Sequence, residues 1–510
     1  MQSSEFNLTQ YIIEKNENNI NKIALLYIEN KNEIIQYTYK EIFEKILKIA
    51  HYLSKYKISN KEQFLLLRMP SNPNVLFYFF GSILAGFIPI PISRMLTTEE
   101  IEFIINDAKP DIIIYEHLPL PKIQNQNIKI FEANQFINEI TTKKYIQKKL
   151  PETYYNDPAF MIYTSGTTGK PKGVIHAQRN IIGRIPIQKE WIDITYSDIL
   201  LHAGELNWTY TLGVGIMDVW ANSRTSILVG DIRKDLSIWT WIMQHFPVTI
   251  FATVPSLYRR IIKYHREDLS QIKTLRHCLT AGEALKPELW KQWTELTQKP
   301  LYEALGMTEI STYISSGPNV PTKPGSPGKP QKGRNVRIIS SDSQNTEELP
   351  EKETGLIAVH KSDPGLMLRY LNRPEEEQLV FRNEWFIGGD LAYKDEDGYF
   401  WFQGRNNDLM KSFGYRVSPI EIESILEKHP YIQEACVCEI QKNKEISLIT
   451  AFVVKDLAHH LTESDIIEYC KSHLAEYKCP RKVIFLKELP RNSSGKILKN
   501  ILKQEYNYKI

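Results

Sequence analysis

Ten residues of this chain, Thr164-Ser165-Gly166-Thr167-Thr168-Gly169-Lys170-Pro171-Lys172-Gly173, hold four hydroxyls, three glycines and two lysines. Glycine lets backbone N–H groups approach an anion, hydroxyls donate to it and lysine adds charge. Such a loop can grip phosphate. It is not a Walker A loop, which separates its glycines by four residues and then opens a helix with Lys and Ser/Thr. Here two residues separate Gly166 from Gly169, and Pro171 follows Lys170. A helix N-terminus is therefore not the expected anion site, and a phosphotransferase releasing ADP is not the expected enzyme.

Other clusters follow at long intervals. They are Thr280-Ala281-Gly282-Glu283-Ala284-Leu285, Tyr302-Glu303-Ala304-Leu305-Gly306-Met307-Thr308-Glu309, Gly388-Gly389-Asp390, Gly404-Arg405 and Pro490-Arg491-Asn492-Ser493-Ser494-Gly495-Lys496. Each alone is ordinary: Gly389-Asp390 is turn composition, and Lys496 by itself is a surface lysine. Together they offer carboxylates that can accept two hydrogen bonds at once and a lysine for charge.

Elements must position these residues. Phe64–Leu67, Ile112–Tyr115, Phe160–Tyr163, Thr249–Thr253 and Leu275–Thr280 read as buried strands, and Pro255 opens a helical pattern over Ser256–Tyr264. Strand–helix alternation over hundreds of residues predicts an α/β protein with doubly wound parallel sheets. After about Gly317, Gly and Pro cluster and short strands such as Val336–Ser340 and Gly355–His360 predict a small β-barrel-like element. A boundary falls near Gly404–Asp408. Ser418-Pro419-Ile420-Glu421 then reads as a capping box opening a smaller α+β domain. The expected organisation is a domain over residues 1–404, a connection at 405–409 and a C-terminal domain over 410–510.

Composition is that of a soluble globular protein. The 510 residues are 42% apolar and 24% charged, and the net charge of +3 is too weak for nucleic acid to be the main partner. From Arg405 to Ile510 there are 17 Lys/Arg and 14 Asp/Glu, so the tail carries that whole excess. Seven basic residues between Arg481 and Lys503 read as a solvated face or as a surface for anionic phosphates. Five cysteines without a C-x-x-C pair, and a polar N-terminus, predict a cytoplasmic protein without disulfides or a zinc site. The uncharged stretch Val75–Ile92 is broken by Gly86, Pro89 and Pro91. It reads as a helix through Ala85 and a buried strand Phe87–Ile92, not as an integral membrane span.

In order, these motifs resemble those of the adenylate-forming superfamily: acyl-CoA synthetases, firefly luciferases and peptide-synthetase adenylation domains. The resemblance covers most of the chain and is closest in feel to benzoate or medium-chain acyl-CoA ligases. It implies that the chain activates a carboxylic acid with ATP and Mg²⁺ as acyl-AMP, releases pyrophosphate, and transfers the acyl group to coenzyme A. By that likeness Thr164, Ser165, Gly166, Thr167, Thr168, Gly169, Lys170 and Lys172 hold the phosphates, and Gly282, Glu283 and Ala284 form the adenine-side turn. Tyr302 stacks near adenine beside Glu303, Thr308 touches the α-phosphate, and Glu309 holds Mg²⁺. Asp390 binds the ribose hydroxyls and Arg405 contacts ribose or phosphate. Lys496 bridges the carboxylate and the α-phosphate. Ser412, Phe413, Gly414 and Tyr415 line the pantetheine path after the C-terminal unit rotates. Asn407 stands where the family has Asp at the hinge, and Gly388-Gly389 stands for a commoner Thr-Gly pair. Altered timing of the domain movement is expected from this, with adenylation retained.

The acyl pocket is expected between the segments 202–215 and 306–314, with His202, Trp208, Tyr210, Gly213, Ala304, Leu305 and Gly306 lining it. Trp208 and Tyr210 narrow it, which favours an aryl or short-to-medium acyl group. Glu205 reads as a solvated or capping carboxylate in preference to a partner for a substrate amine. The chain ends 14 residues after Lys496, so the acceptor is expected in trans. Coenzyme A is the first choice and a separate carrier protein the alternative. A non-catalytic nucleotide- or acyl-binding protein is the reading from another class, and intact Lys496, Glu309 and Asp390 argue against it. A homodimer is compatible with all of these.

Overall fold

The computed structural model describes residues 4–509 except 124, 126, 143–148, 166–170, 342–343, 409, 413–414, 444–446, 457 and 492–496, and it leaves the side chains of 141, 142, 165, 407, 411, 412, 415 and 416 undescribed. The chain forms two compact units, Met1–Asn335 with Val359–Glu384, and Val336–Ala358 with Trp385–Ile510. The expected hinge at 405–409 therefore lies inside the second unit.

The first unit is built on two sheets of mainly parallel strands. The larger has nine strands in the order Lys329–Pro330, Ser311–Ser315, Leu301–Met307, His277–Ala281, Ile250–Thr253, Ile199–His202, Thr225–Val229, Ile23–Asn30 and Glu33–Thr38. The six strands from Leu301–Met307 to Ile23–Asn30 pair in parallel, and those flanking them pair antiparallel. The smaller sheet, Ile88–Pro91, Phe64–Arg68, Ile112–Tyr115 and Lys129–Glu132, is all parallel. Strands such as Phe64–Arg68 and Thr225–Val229 are buried at every position, as sheets covered on both faces require. The uncharged stretch is the buried helix Pro73–Leu84, capped by Asn72, followed by Gly86 at φ +75° and the strand Ile88–Pro91. Among the described residues no helix is long and apolar enough to cross a membrane.

A three-stranded sheet matters most for the site. Pro158–Ser165 pairs antiparallel with Pro171–Ala177, which pairs with Arg369–Tyr370. The strands flanking the expected phosphate loop thus pair with each other, with Thr164 opposite Lys172 and Ser165 opposite Pro171. That geometry agrees with the exclusion of a strand-to-helix loop.

In the second unit Val336–Ile339, Gly355–His360 and Trp385–Lys394 lie side by side, and Phe400–Arg405 pairs with Trp385–Lys394. A short hairpin, Met410–Ser412 with Tyr415–Val417, precedes the helix Pro419–Leu426. The strands Ile432–Gln441, Ser447–Lys455 and Lys482–Phe485 and the helices Glu463–His473 and Lys499–Tyr506 complete it. The expected capping box does not form. Ser418 makes no cap; its hydroxyl donates to the Gln403 carbonyl at 2.6 Å, and Glu421 pairs with Lys478 at 2.6 Å. Each side chain found a partner distant in sequence, which local spacing does not reveal.

All five cysteines are buried and free. Burial pushes their thiols up, to about 12 for Cys278 and Cys470 and about 11 for Cys438, with Cys436 and Cys479 also raised.

Candidate active site

The described part of the phosphate hairpin is pinned on one side by Tyr163. Its hydroxyl donates to Asp107 at 2.8 Å, and Asp107 in turn holds Arg373 at 2.9 Å. On the other side lies Lys172. Its ammonium sits 4.0 Å from the centre of the Tyr370 ring and 3.8 Å from Glu376. The Tyr370 hydroxyl donates to Glu309 at 2.7 Å, in a buried contact. Backbone bonds fasten the same segment, from Met367 to the Glu309 carbonyl at 2.7 Å and from Leu371 to that of Gly173 at 2.8 Å. Thr308 and Glu309 form the turn between the strands Leu301–Met307 and Ser311–Ser315. The structure thus brings Thr164, Lys172, Thr308 and Glu309 together around Tyr370. Gly166, Thr167, Thr168, Gly169 and Lys170 lie outside the described residues, as does the side chain of Ser165.

Two glycines shape this corner. A Cβ at Gly306 would strike the Ser311 carbonyl, beside the bulge between Leu305 and Gly306, and Ser311 itself holds φ +69°. A Cβ at Gly213 would strike the Arg184 guanidinium. Arg184 is almost wholly buried and bidentate to Asp218 at 2.9 and 2.6 Å, and it donates to Ser311 at 2.8 Å. Removing one member of such a pair strands the other charge and typically costs about 3–5 kcal/mol.

His202, expected to line the acyl pocket, stands at the carboxyl end of a parallel strand, the side on which open α/β sheets bind ligands. Buried polar atoms without a hydrogen-bond partner among the described residues gather here: both ring nitrogens of His202 and the hydroxyls of Thr211, Thr253 and Thr280. His202, Thr253 and Thr280 end or nearly end three adjacent strands. The His202 ring meets Tyr210 edge-on at 4.3 Å, and Tyr210 stacks on Trp191 at 5.7 Å. Trp208 and Tyr210 are half-buried. A π-helical turn over Thr211–Met217 follows, an arrangement frequent at functional sites. Ala304 is buried while Leu305 and Gly306 are half-buried.

The turn at Gly282 is exposed, with φ +92°. Glu303 is brought to it, its carboxylate accepting the Leu285 N–H at 2.8 Å. Burial pushes the Glu303 carboxyl up to about 8. The Tyr302 ring packs against His277, 5.3 Å away at the opening of the neighbouring strand.

Glu205 is neither solvated nor a cap. The Ser71 hydroxyl donates to it at 2.8 Å, Arg233 pairs with it at 2.9 Å and Arg94 approaches to 3.7 Å. With two arginines on one carboxylate, little charge is left for a substrate amine.

In the second unit Asp390 is buried and pairs with Arg405 at 2.7 Å, across the register that sets the two residues opposite each other. Arg405 also donates to the Gly388 carbonyl at 3.1 Å. Asn407 lies in a short turn, Asn406–Asp408. Phe413, Gly414 and Lys496 lie outside the described residues, as do the side chains of Asn407, Ser412 and Tyr415. Part of the basic run Arg481–Lys503 is held by acidic partners. Lys482 pairs with Glu463, Arg491 with Glu434 and Lys499 with Glu423, at 3.1, 2.9 and 3.0 Å, and Arg481 approaches Glu476 at 3.6 Å.

Four buried groups give stability a definite pH dependence. Burial depresses His176 and His202 from 6.5 to about 3 and His277 to about 4. Below pH 6.5 the unfolded chain takes up protons that these folded histidines refuse, so stability is lost as pH falls. Glu303 acts oppositely. Its folded carboxyl keeps a proton up to about 8 that the unfolded chain releases near 4.5, so its contribution is lost as pH rises. Together they place maximum stability at about pH 7, with net uptake of about two protons on unfolding near pH 5.5. Calorimetry from pH 5 to 9 checks this, and Glu303→Gln is expected to flatten the alkaline limb. A melting temperature that rises steadily down to pH 5 would contradict it.

Comparison with known proteins agrees with this geometry. The family model described as AMP-binding enzyme matches residues 13–371, and that for the AMP-binding enzyme C-terminal domain matches 421–496. The chain is 30% identical to acetyl-coenzyme A synthetase of Bacillus subtilis (strain 168), over 95% of this chain and 87% of the relative. It is 27% identical to the mitochondrial acyl-coenzyme A synthetase ACSM3 of Rattus norvegicus, over 96% and 88%. Its fold is similar to a benzoate CoA ligase from Burkholderia xenovorans LB400, with TM-score 0.84, 24% identity and coverage of 98% and 100%.

Proposed function

Because this chain belongs to the AMP-binding enzyme family, we infer that it is an ATP-dependent acid–thiol ligase, an acyl-CoA synthetase that forms AMP and pyrophosphate. A carboxylate is a poor electrophile, so it is first activated. Its oxygen attacks the α-phosphorus of ATP, the bond to the β-phosphate breaks, and pyrophosphate leaves with the electron pair. The coenzyme A sulfur then attacks the acyl carbon, the C–O bond to AMP breaks, and the thiol proton passes to solvent.

The observation that carries this reading is the joining of the phosphate hairpin to Glu309 through Tyr370. It sets a lysine and a fixed carboxylate at the root of a Gly/Ser/Thr loop, where charge building at phosphorus needs both. Mg²⁺ fits the donor set. Among the described residues no cluster of three or more His, Cys, Asp or Glu could cage a metal. Mg²⁺ is usually held by one or two carboxylates plus substrate phosphates, and Glu309 is a hard oxygen donor of that kind. It would supply charge neutralisation. Lys172, Thr164 and the loop to Lys170 hold the phosphates, Thr308 meets the α-phosphate, and Lys496 bridges it to the carboxylate. Gly282–Ala284 and Glu303 face the adenine. Asp390 holds the ribose, with Arg405 orienting its carboxylate. Residues 405–409 act as hinge, and 412–415 guide the thiol.

The orphaned polar atoms of His202, Thr211, Thr253 and Thr280 support an acyl and nucleotide pocket at the sheet edge. Tyr210, braced between His202 and Trp191, supports a short, medium or aryl acid. The five buried thiols support a cytoplasmic setting. The test is a panel of acetate, hexanoate, benzoate and amino acids with ATP and Mg²⁺, read by pyrophosphate release with and without coenzyme A. AMP, pyrophosphate and an acyl thioester are expected from at least one unsubstituted acid. ADP as product would overturn the reading. Turnover only with a carrier protein would replace coenzyme A as acceptor.

A further inference from the structure

Ser311 stands two residues after Glu309 and holds φ +69°, a left-handed conformation disfavoured for any residue with a Cβ. It is also the point at which the turn closes. Met307 and Ser311 face each other across the ladder, so Thr308, Glu309 and Ile310 span the gap between them. The backbone at Ser311 therefore sets how Thr308 and Glu309 are presented. Close packing does not fix it on every side, because Ser311 borders a cavity of about 10 Å³, room for about one water, that His176, Asn180, Arg184 and Thr209 also line. What meets Ser311 there is a hydrogen bond: the Arg184 guanidinium donates to its hydroxyl at 2.8 Å.

Arg184 is held in turn. Asp218 takes it in two bonds, at 2.9 and 2.6 Å, and both side chains are buried. The Gln188 amide donates to Asp218 at 3.0 Å, and the Asn222 amide donates to Gln188 at 3.0 Å and to the Asp218 carbonyl at 2.8 Å. Asp218 directly follows the π-helical turn Thr211–Met217. A second buried pair braces the neighbouring residues. Arg334, bound to Asp363 at 2.9 and 2.7 Å, donates to the Gly183 carbonyl at 2.9 Å and to that of Thr312 at 3.2 Å. Apolar side chains of similar volume often hold a core as well as a buried ion pair does, but they cannot orient a hydroxyl.

We propose that Arg184 is a positioning residue for the Thr308–Glu309 turn: anchored by Asp218 at the end of the π-helical turn, it holds Ser311 in its left-handed conformation and so fixes the turn on which both residues stand. This rests on the roles given to Thr308 and Glu309 in pyrophosphate formation. A conformation of that kind persists only where its surroundings over-determine it. Without the Arg184 bond the turn can relax toward the cavity. A shift of about 1 Å in a positioned group can cost about 10²-fold in rate.

The test uses the full chain with ATP, Mg²⁺ and whichever of acetate, hexanoate or benzoate supports pyrophosphate exchange. Ser311→Ala removes the acceptor and leaves the Arg184–Asp218 pair whole. It is expected to lower the maximal exchange rate by about 10-fold to 10²-fold and to raise the half-maximal Mg²⁺ concentration by about threefold or more. A readout without turnover is the rise in melting temperature with ATP in the absence of acid, whose half-maximal Mg²⁺ concentration is expected to shift upward as well. Ser311→Gly suits the left-handed backbone but has no acceptor, and is expected to stay as slow as Ser311→Ala. Ser311→Asn tolerates that backbone and offers Arg184 an oxygen, and is expected to recover exchange to within about threefold of the parent. Parental rate and Mg²⁺ requirement in Ser311→Ala, recovery in Ser311→Gly, or no recovery in Ser311→Asn would overturn the proposal, since backbone strain or general stability would then account for the residue. Should Ser311→Ala fail to fold, the Gly and Asn variants carry the same comparison. Glu309→Gln separates the two levels. If it raises the Mg²⁺ requirement while Ser311→Gly does not, only the positioning role falls; if it leaves that requirement unaltered, the reading of Glu309 falls and the proposal with it.

Discussion

Lys496→Ala is expected to lower acyl-adenylate formation by about 10²–10³-fold, or more if the ammonium also neutralises the attacking carboxylate. Two anions must meet for this reaction, and the first barrier is their mutual repulsion. A lysine is suited to the task because its ammonium is a compact charge with three donors, able to touch both partners at once. Alanine removes that charge at a position whose neck is closed independently by the Arg491–Ile497 bridge, so the fold of the second unit is expected to survive. Pyrophosphate exchange measures the loss. Thioester formation from a supplied acyl-adenylate is expected to continue, since no new bond to phosphorus is made in that step. A variant that exchanges pyrophosphate at the parental rate would remove Lys496 from the mechanism.

Glu309→Gln is expected to be nearly as damaging, again about 10²–10³-fold in pyrophosphate formation. The amide keeps an oxygen for the Tyr370 hydroxyl, now 2.7 Å from the carboxylate, so the hairpin and the Thr308–Glu309 turn stay joined. What is lost is negative charge toward a divalent cation. The signature is therefore a raised Mg²⁺ requirement: the half-maximal concentration shifts upward while the melting temperature holds. Tyr370→Phe gives the complementary result, a smaller rate loss with unchanged Mg²⁺ dependence, because it frees the carboxylate without removing it. If Glu309→Gln leaves the Mg²⁺ dependence of exchange unaltered, Glu309 does not hold the metal.

What the sequence made legible was local. The residue types between Thr164 and Gly173 mark a candidate phosphate loop, and buried strands such as Ile112–Tyr115 and Gly355–His360 match the reading residue for residue, because continuous apolar runs have few other uses. The hairpin form of the loop was not legible, since the loop's own composition does not say whether the residues beyond Pro171 turn back to pair with Pro158–Ser165. Tyr370 and Arg184 were missed. Neither carries a local signature, and each acquires its role from partners over thirty residues away, Glu309 and Asp218. The contact of the Tyr302 ring with His277 on the adjacent strand was likewise not legible, since it depends on strand pairing. The ion pairs of the basic tail were not legible either, because Glu463, Glu434 and Glu423 lie far along the chain from Lys482, Arg491 and Lys499.

The five buried cysteines acquire a new meaning in this light. An enzyme that makes mixed anhydrides and thioesters fills its own surroundings with acylating agents, and a surface thiolate would be their nearest victim. Here every thiol is shut away with its ionisation suppressed, and a thiolate is the reactive form. Burial of this kind leaves an acylating agent, or a disulfide of the coenzyme, no ready thiolate on the catalyst to attack it.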